Sequence, residues 1–227
     1  MTIKARRLKE CEMPGRTELY EVANSREIVT EEKQSDGSLD QVILKYVVEE
    51  GDVGYFAKEY RPHNIQKTGA KVIDITAVML CHKKKCIRWH LYDIKDALAG
   101  ENTVVKLYDQ WNAGLQYLYN NILKTTPEYK MMSDLGVVTR CYDKERMERL
   151  RNQYKELCEE VENYSQRMTL AQRKKRINIS KYRGILMAVE AILDGRFRAE
   201  SGNNTYEIHI KQMQCETGQI YKAEISV

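Results

Sequence analysis

Residues 71–95 constrain the fold more than any other stretch. Residues 71–80 (KVIDITAVML) are rich in β-branched and apolar side chains, residues 82–85 (HKKK) form a polar tip, and residues 87–95 (IRWHLYDIK) repeat the strand pattern. Two such runs joined by four or five residues predict a β-hairpin. Alternation along a strand then sets Asp93 and Lys95 on one face, with His90 and Ile94 on the other. A turn centred near Lys84 carries Asp74 opposite residue 94, and a one-residue adjustment sets it directly across from Asp93 or Lys95. Two carboxylates and one ammonium are therefore expected to converge at the far end of the hairpin. An Asp within so apolar a strand is costly to bury alone, which argues that Asp74 has a partner.

The rest of the chain arranges itself around this hairpin. Upstream, residues 18–23 and 27–31 read as short strands, 34–38 (QSDGS) as a turn, and 41–48 (QVILKYVV) as a buried strand or a helical stretch. Downstream, Val104, Leu107, Tyr108, Trp111, Leu115, Leu118 and Ile122 recur at three and four, predicting a helix over 103–124 that Pro127 ends. Two further amphipathic helices, over 143–167 and 169–193, are predicted to form an antiparallel pair, with Gly195 as the C-terminal stop. Residues 206–213 and 220–227 then read as a closing β-hairpin. The expectation is an α/β fold: a central mixed sheet flanked by helices over 1–140, and over 141–227 a helical hairpin and terminal β-hairpin packed on the same core.

Two close carboxylates repel, and a hard divalent cation relieves that cost; oxygen ligands completed by water suit Mg²⁺ or Mn²⁺. Asp74, the hairpin, Asp93-Ile94-Lys95 and the amphipathic helix that follows resemble the PD-(D/E)xK nuclease superfamily, with its restriction-endonuclease-like core. Ile73 stands at the position of the name-giving proline. The resemblance implies a Mg²⁺-dependent phosphodiesterase acting on DNA in preference to RNA. Asp74 and Asp93 would hold the metal, and Lys95 would position or activate the attacking water. It also implies a supporting Gln on the helix, where Gln110 and Gln116 both lie and Gln116 is preferred, and a further upstream acid for which Glu49, Glu50 and Glu59 are all open. Members of the superfamily serve restriction, recombination and antiphage defence, as dimers or under an ATP-driven partner such as a helicase.

Charge placement says more about partners than net charge. Lys plus Arg is 37 against Asp plus Glu at 33, which excludes an acidic mimic of nucleic acid but favours nucleic-acid binding only weakly. Basic residues cluster at Lys83, Lys84 and Lys85 on the hairpin tip and at Arg173, Lys174, Lys175 and Arg176, both suited to phosphate contacts. A second reading rests on the same patches: a non-catalytic nucleic-acid-binding or assembly subunit with a degenerate nuclease fold. Six scattered cysteines suit neither a disulfide scaffold nor a zinc site. No apolar run reads as a membrane span or leader, so a cytoplasmic protein is expected.

Overall fold

A computed structural model describes residues 20–22, 24–60, 73–121, 129–163, 179–199, 204–216 and 218–227. In chain order the elements are β1 (Tyr20–Val22), β2 (Arg26–Lys33), β3 (Leu39–Tyr46), β4 (Val53–Tyr60), β5 (Ile73–Cys81), β6 (Cys86–Leu98) and α1 (Glu101–Asn121). They continue as β7 (Lys130–Tyr142), α2 (Lys144–Asn163), α3 (Ile179–Asp194), β8 (Arg196–Arg198), β9 (Thr205–Gln212), β10 (Gln214–Cys215) and β11 (Ile220–Ser226). A large mixed sheet runs β1-β4-β5-β6-β7-β9, with the three-residue β8 added at its edge, and a smaller one runs β10-β11-β3-β2.

The hydrophobic residues divide into two clusters, one on each side of the large sheet. Val78, Leu80, Trp89, Leu91 and Val137 pack with Leu107, Trp111 and Leu115 of α1 and Ile185, Val189 and Ile192 of α3. Ile75, Ala77, Met79, Tyr92, Ile94 and Val138 pack with Val42, Leu44, Ala223 and Ile225 of the small sheet. The result is three layers: helices, large sheet, small sheet. Helix α1 lies on one face because β6 and β7 are parallel, and a parallel pair needs a long crossover.

The local chemistry accounts for the boundaries. Gly37 takes a left-handed φ of 84° in the turn between β2 and β3, and Gly195 ends α3 with φ 64°. Asp143 caps α2, its Oδ1 accepting the Arg146 N–H at 2.9 Å. Between β5 and β6, Lys85 adopts φ 48° and donates its N–H to the His82 carbonyl oxygen at 3.3 Å. The 41–48 stretch is strand, as β3, and buried Asp40 and Tyr46 mark its inward face.

Two parts of the fold depart from the expectation. Residues 130–142, assigned to no element above, form a thirteen-residue strand between β6 and β9 of the large sheet. The predicted hairpin of 206–213 with 220–227 does not form: β9 joins β7 in the large sheet, β11 joins β3 in the small one, and only two-residue β10 turns back on β11. Alternating strands announce a buried face but not the partner that buries it. Residues from both 1–140 and 141–227 build each sheet, so the two stretches share one core. Helices α2 and α3 do pack together, with Glu162 near the end of one paired to Arg183 near the start of the other at 2.5 Å.

Candidate active site

The β5–β6 register runs from Cys81 opposite Cys86 to Ile75 opposite Tyr92. The pairing stops there, one step short of Asp74 and Asp93. Asp93 shares its face with Trp89 and Leu91, the side covered by α1. The three charged residues do meet. Lys95 Nζ lies 3.4 Å from Asp74 Oδ2 and 3.5 Å from Asp93 Oδ1, and it donates to the Ile94 carbonyl oxygen at 3.1 Å. Asp74 Oδ2 also accepts the Ile94 N–H at 2.8 Å.

The two carboxyls sit in different surroundings. Asp74 keeps 27% of its side chain exposed, at the opening of the strand, whereas Asp93 is 0% exposed on a central strand. Burial pushes the Asp93 carboxyl up to about 7, with the nearby Asp74 charge adding to the rise and Lys95 opposing it. Its Oδ2 is buried with no hydrogen-bond partner. A carboxyl with one anchored and one orphaned oxygen beside a second carboxyl is a donor set that fits a hard cation. Asp74 and Asp93 would hold it and water would complete it. Among the described residues, no group of three or more His, Cys, Asp or Glu is arranged to hold a metal ion.

The upstream acids separate by position. Glu49 pairs with Lys84 at 3.4 Å, and Glu50 lies in the turn beside it, so both sit at the hairpin tip. Seven residues along β5, at about 3.4 Å each, put the tip roughly 24 Å from Asp74. Glu59 lies at the other end. Lys58 faces Ile75 and Tyr60 faces Ile73, so the register carries Glu59 to the position opposite Asp74, although its side chain lies outside the described residues.

Helix α1 carries a glutamine toward the same end of the sheet. A Cβ on Gly114 would meet Ile73 Cδ1 at 2.5 Å and Leu91 Cδ1 at 3.1 Å, so Gly114 rests on those two residues. One turn earlier, about 5.4 Å toward the end of β6, stands Gln110, 2% exposed. Gln110 therefore lies on the part of α1 that runs toward the end of β6 carrying Asp93. Gln116 lies in α1 as well, with its side chain outside the described residues. Both glutamines thus lie on α1, and Gln110 is the one whose side chain is described.

Of the basic residues, Lys83, Lys84 and Lys85 occupy the distant tip, where Lys85 Nζ stands 5.2 Å above the Tyr129 ring. Arg173, Lys174, Lys175 and Arg176 lie outside the described residues. Among the described residues, no helix is long and apolar enough to cross a membrane. No family model matches the chain, and neither a curated protein nor a solved structure matches it.

Proposed function

We propose that the protein is a metal-dependent nuclease that hydrolyses phosphodiester bonds of DNA, on a restriction-endonuclease-like core formed by β4, β5, β6, α1 and β7. The observation that carries this reading is the convergence of Asp74 and Asp93 on Lys95, with Asp93 Oδ2 buried and unpartnered. Bound between the carboxylates, Mg²⁺ or Mn²⁺ would lower the pKa of a coordinated water and offset charge on the phosphate. Asp93 must give up its proton to serve as a ligand, and Asp74, partly exposed, faces the side from which a phosphate would arrive. Lys95, once released from the carboxylate pair, holds the attacking water or the developing phosphorane charge. Gln116 or Gln110 of α1, and Glu59, whose backbone register falls opposite Asp74, are the further candidates for the site.

Cleavage of supercoiled and linear DNA with Mg²⁺ or Mn²⁺ tests the proposal, comparing the wild type with Asp93→Ala and Lys95→Ala. Both substitutions should abolish cutting, since each removes a group from the reacting centre. Activity that survives both would overturn the mechanism. A non-catalytic subunit of the same fold is favoured by one observation, the ammonium of Lys95 already bridging the two carboxyls where a cation would sit. Calorimetric titration with Mn²⁺ separates the two readings: saturable binding lost in Asp93→Ala supports the nuclease, and its absence supports the degenerate fold.

A further inference from the structure

Two cysteines that look scattered in the sequence are brought together at the hairpin tip, roughly 24 Å from Asp74 and independent of the nuclease reading. Cys81 closes β5, Cys86 opens β6, and the two are direct partners in the last pair of the register. Directly paired residues of an antiparallel ladder share a face and hold their Cα atoms about 4.5–5.5 Å apart. A disulfide spans Cα separations of about 4.4–6.8 Å. The backbone is thus already spaced for a bond between the two sulfurs. The tip is also held in place: Lys85 takes φ 48° and donates its N–H to the His82 carbonyl oxygen at 3.3 Å, while its own carbonyl oxygen accepts the Lys130 N–H at 2.8 Å.

Both thiols are free, and each residue is only 5% exposed, on the face that packs toward the small sheet. The Cys81 thiol has the Cys86 sulfur and the Asp52 carboxylate as hydrogen-bonding neighbours. Asp52 is itself anchored, its Oδ1 accepting the His82 N–H at 3.0 Å. Burial, and then Cys86 and Asp52, push the Cys81 thiol up to about 12, so Cys81 keeps its proton. Cys86 is then the sulfur that attacks an oxidant, since the thiolate is the nucleophile. Burial screens the pair from a bulky oxidant such as glutathione disulfide and favours one the size of a water molecule. The exposed cysteines lie elsewhere: Cys141 is near the other end of β7, and Cys215 is on β10.

We propose that Cys81 and Cys86 are a site of reversible oxidation, joined as a disulfide when the protein meets hydrogen peroxide. The Cys86 thiolate attacks one peroxide oxygen, the O–O bond breaks, and two electrons pass from sulfur to the departing hydroxide, leaving a sulfenic acid. The Cys81 sulfur then attacks that of Cys86, the S–O bond breaks, and the hydroxide departs with the Cys81 proton as water. In sum, two thiols and one peroxide give one disulfide and two waters. A dithiol reductant restores the pair by exchange. The bond closes the loop that carries Lys83, Lys84 and Lys85 into a covalent ring.

Treating the full chain with hydrogen peroxide, alkylating the remaining thiols and mapping the peptides by mass spectrometry tests this. Two of the six thiols should be lost together, with the mass lower by two hydrogens. Cleavage at the tip lysines should release the segments holding Cys81 and Cys86 as one linked species, and dithiothreitol should separate them. In Cys81→Ser the link should be absent, and dimedone should trap Cys86 as its sulfenic acid. Asp93→Ala, at the far end of the hairpin, should leave the yield of the link unchanged. Oxidation of Cys141 or Cys215 while Cys81 and Cys86 both remain open to alkylation would overturn the proposal. So would a link from either tip cysteine to another cysteine in equal yield, or oxidation of Cys86 to a sulfinic acid without any link.

Discussion

Asp74 reaches across the β5–β6 pairing to accept the backbone N–H of Ile94 at 2.8 Å, so its carboxylate is fixed to the strand that carries Asp93 and Lys95. An Asp at the start of an apolar strand would otherwise be free to turn to solvent. Held this way, it stays beside Asp93 and contributes to the raised pKa of that buried carboxyl.

That coupling predicts a pH dependence of stability. An unfolded Asp ionises near 3.8, whereas Asp93 in the fold keeps its proton to about 7. Between those values the native state binds the extra proton, so stability falls as pH rises from about 4 to about 7 and is level above that. At about 1.4 kcal/mol per pKa unit, roughly three units correspond to about 4 kcal/mol. Asp93→Asn cannot ionise and should flatten this slope. Urea unfolding of both proteins at pH 5 and pH 8 measures it. An unchanged slope in the variant would show that Asp93 is not its source.

Metal and proton should compete for the same carboxyl. If Asp93 is a ligand, Mn²⁺ binding must displace its proton, so affinity rises with pH up to about 7 and levels off beyond it. The expected gain is about tenfold per pH unit below that point, one proton being released per metal bound. Calorimetric titrations at pH 5.5, 6.5 and 7.5 in buffers of different ionisation enthalpy would count the protons. Zero protons released would remove Asp93 from the ligand set.

The site was more legible than the fold around it. That Asp74, Asp93 and Lys95 meet follows from strand alternation and the length of one turn, which are local rules, and the structure brings both carboxyls to Lys95. Strand β7 was hidden because Asp134 and Gly136 interrupt its pattern, and both owe their place to residues far along the chain: Asp134 to His90, Gly136 to the ring of Tyr92. How α1 sits on the sheet was equally illegible, since Gly114 sets it by resting on Ile73 and Leu91. The partners of β9 and β11 were illegible for the same reason. Register between distant strands is decided by packing between layers, and no short window of sequence contains it.

Gly136 offers a direct test of that packing. Ala at this position would place Cβ 2.1 Å from Tyr92 Cδ1 and Cε1, so the ring must leave the strand it covers. Overpacking of this kind costs about 1–3 kcal/mol. The penalty should shrink in a Tyr92→Ala background, where nothing opposes the new methyl. A double-mutant cycle in urea would show a coupling of at least about 1 kcal/mol, and strict additivity would contradict the contact.

Arg140 joins the two sheets through charge rather than shape. From β7 its Nε donates to Asp40 Oδ1 at 2.6 Å, its guanidinium lies 4.1 Å from the centre of the Tyr221 ring, and a further nitrogen reaches Ser38 Oγ at 2.5 Å. Asp40 is 0% exposed, and its second oxygen accepts from Gln34 Nε2 at 2.6 Å. Arg140→Ala therefore strands a buried carboxylate with one neutral donor, a loss of the order of 3–5 kcal/mol. Replacing both partners, as in Arg140→Met with Asp40→Leu, removes the buried charge together with its counter-ion and should recover a large part of that loss. Thermal unfolding of the single and double variants decides it. A single variant as stable as the wild type would mean that the apolar residues between the sheets hold them together without Arg140.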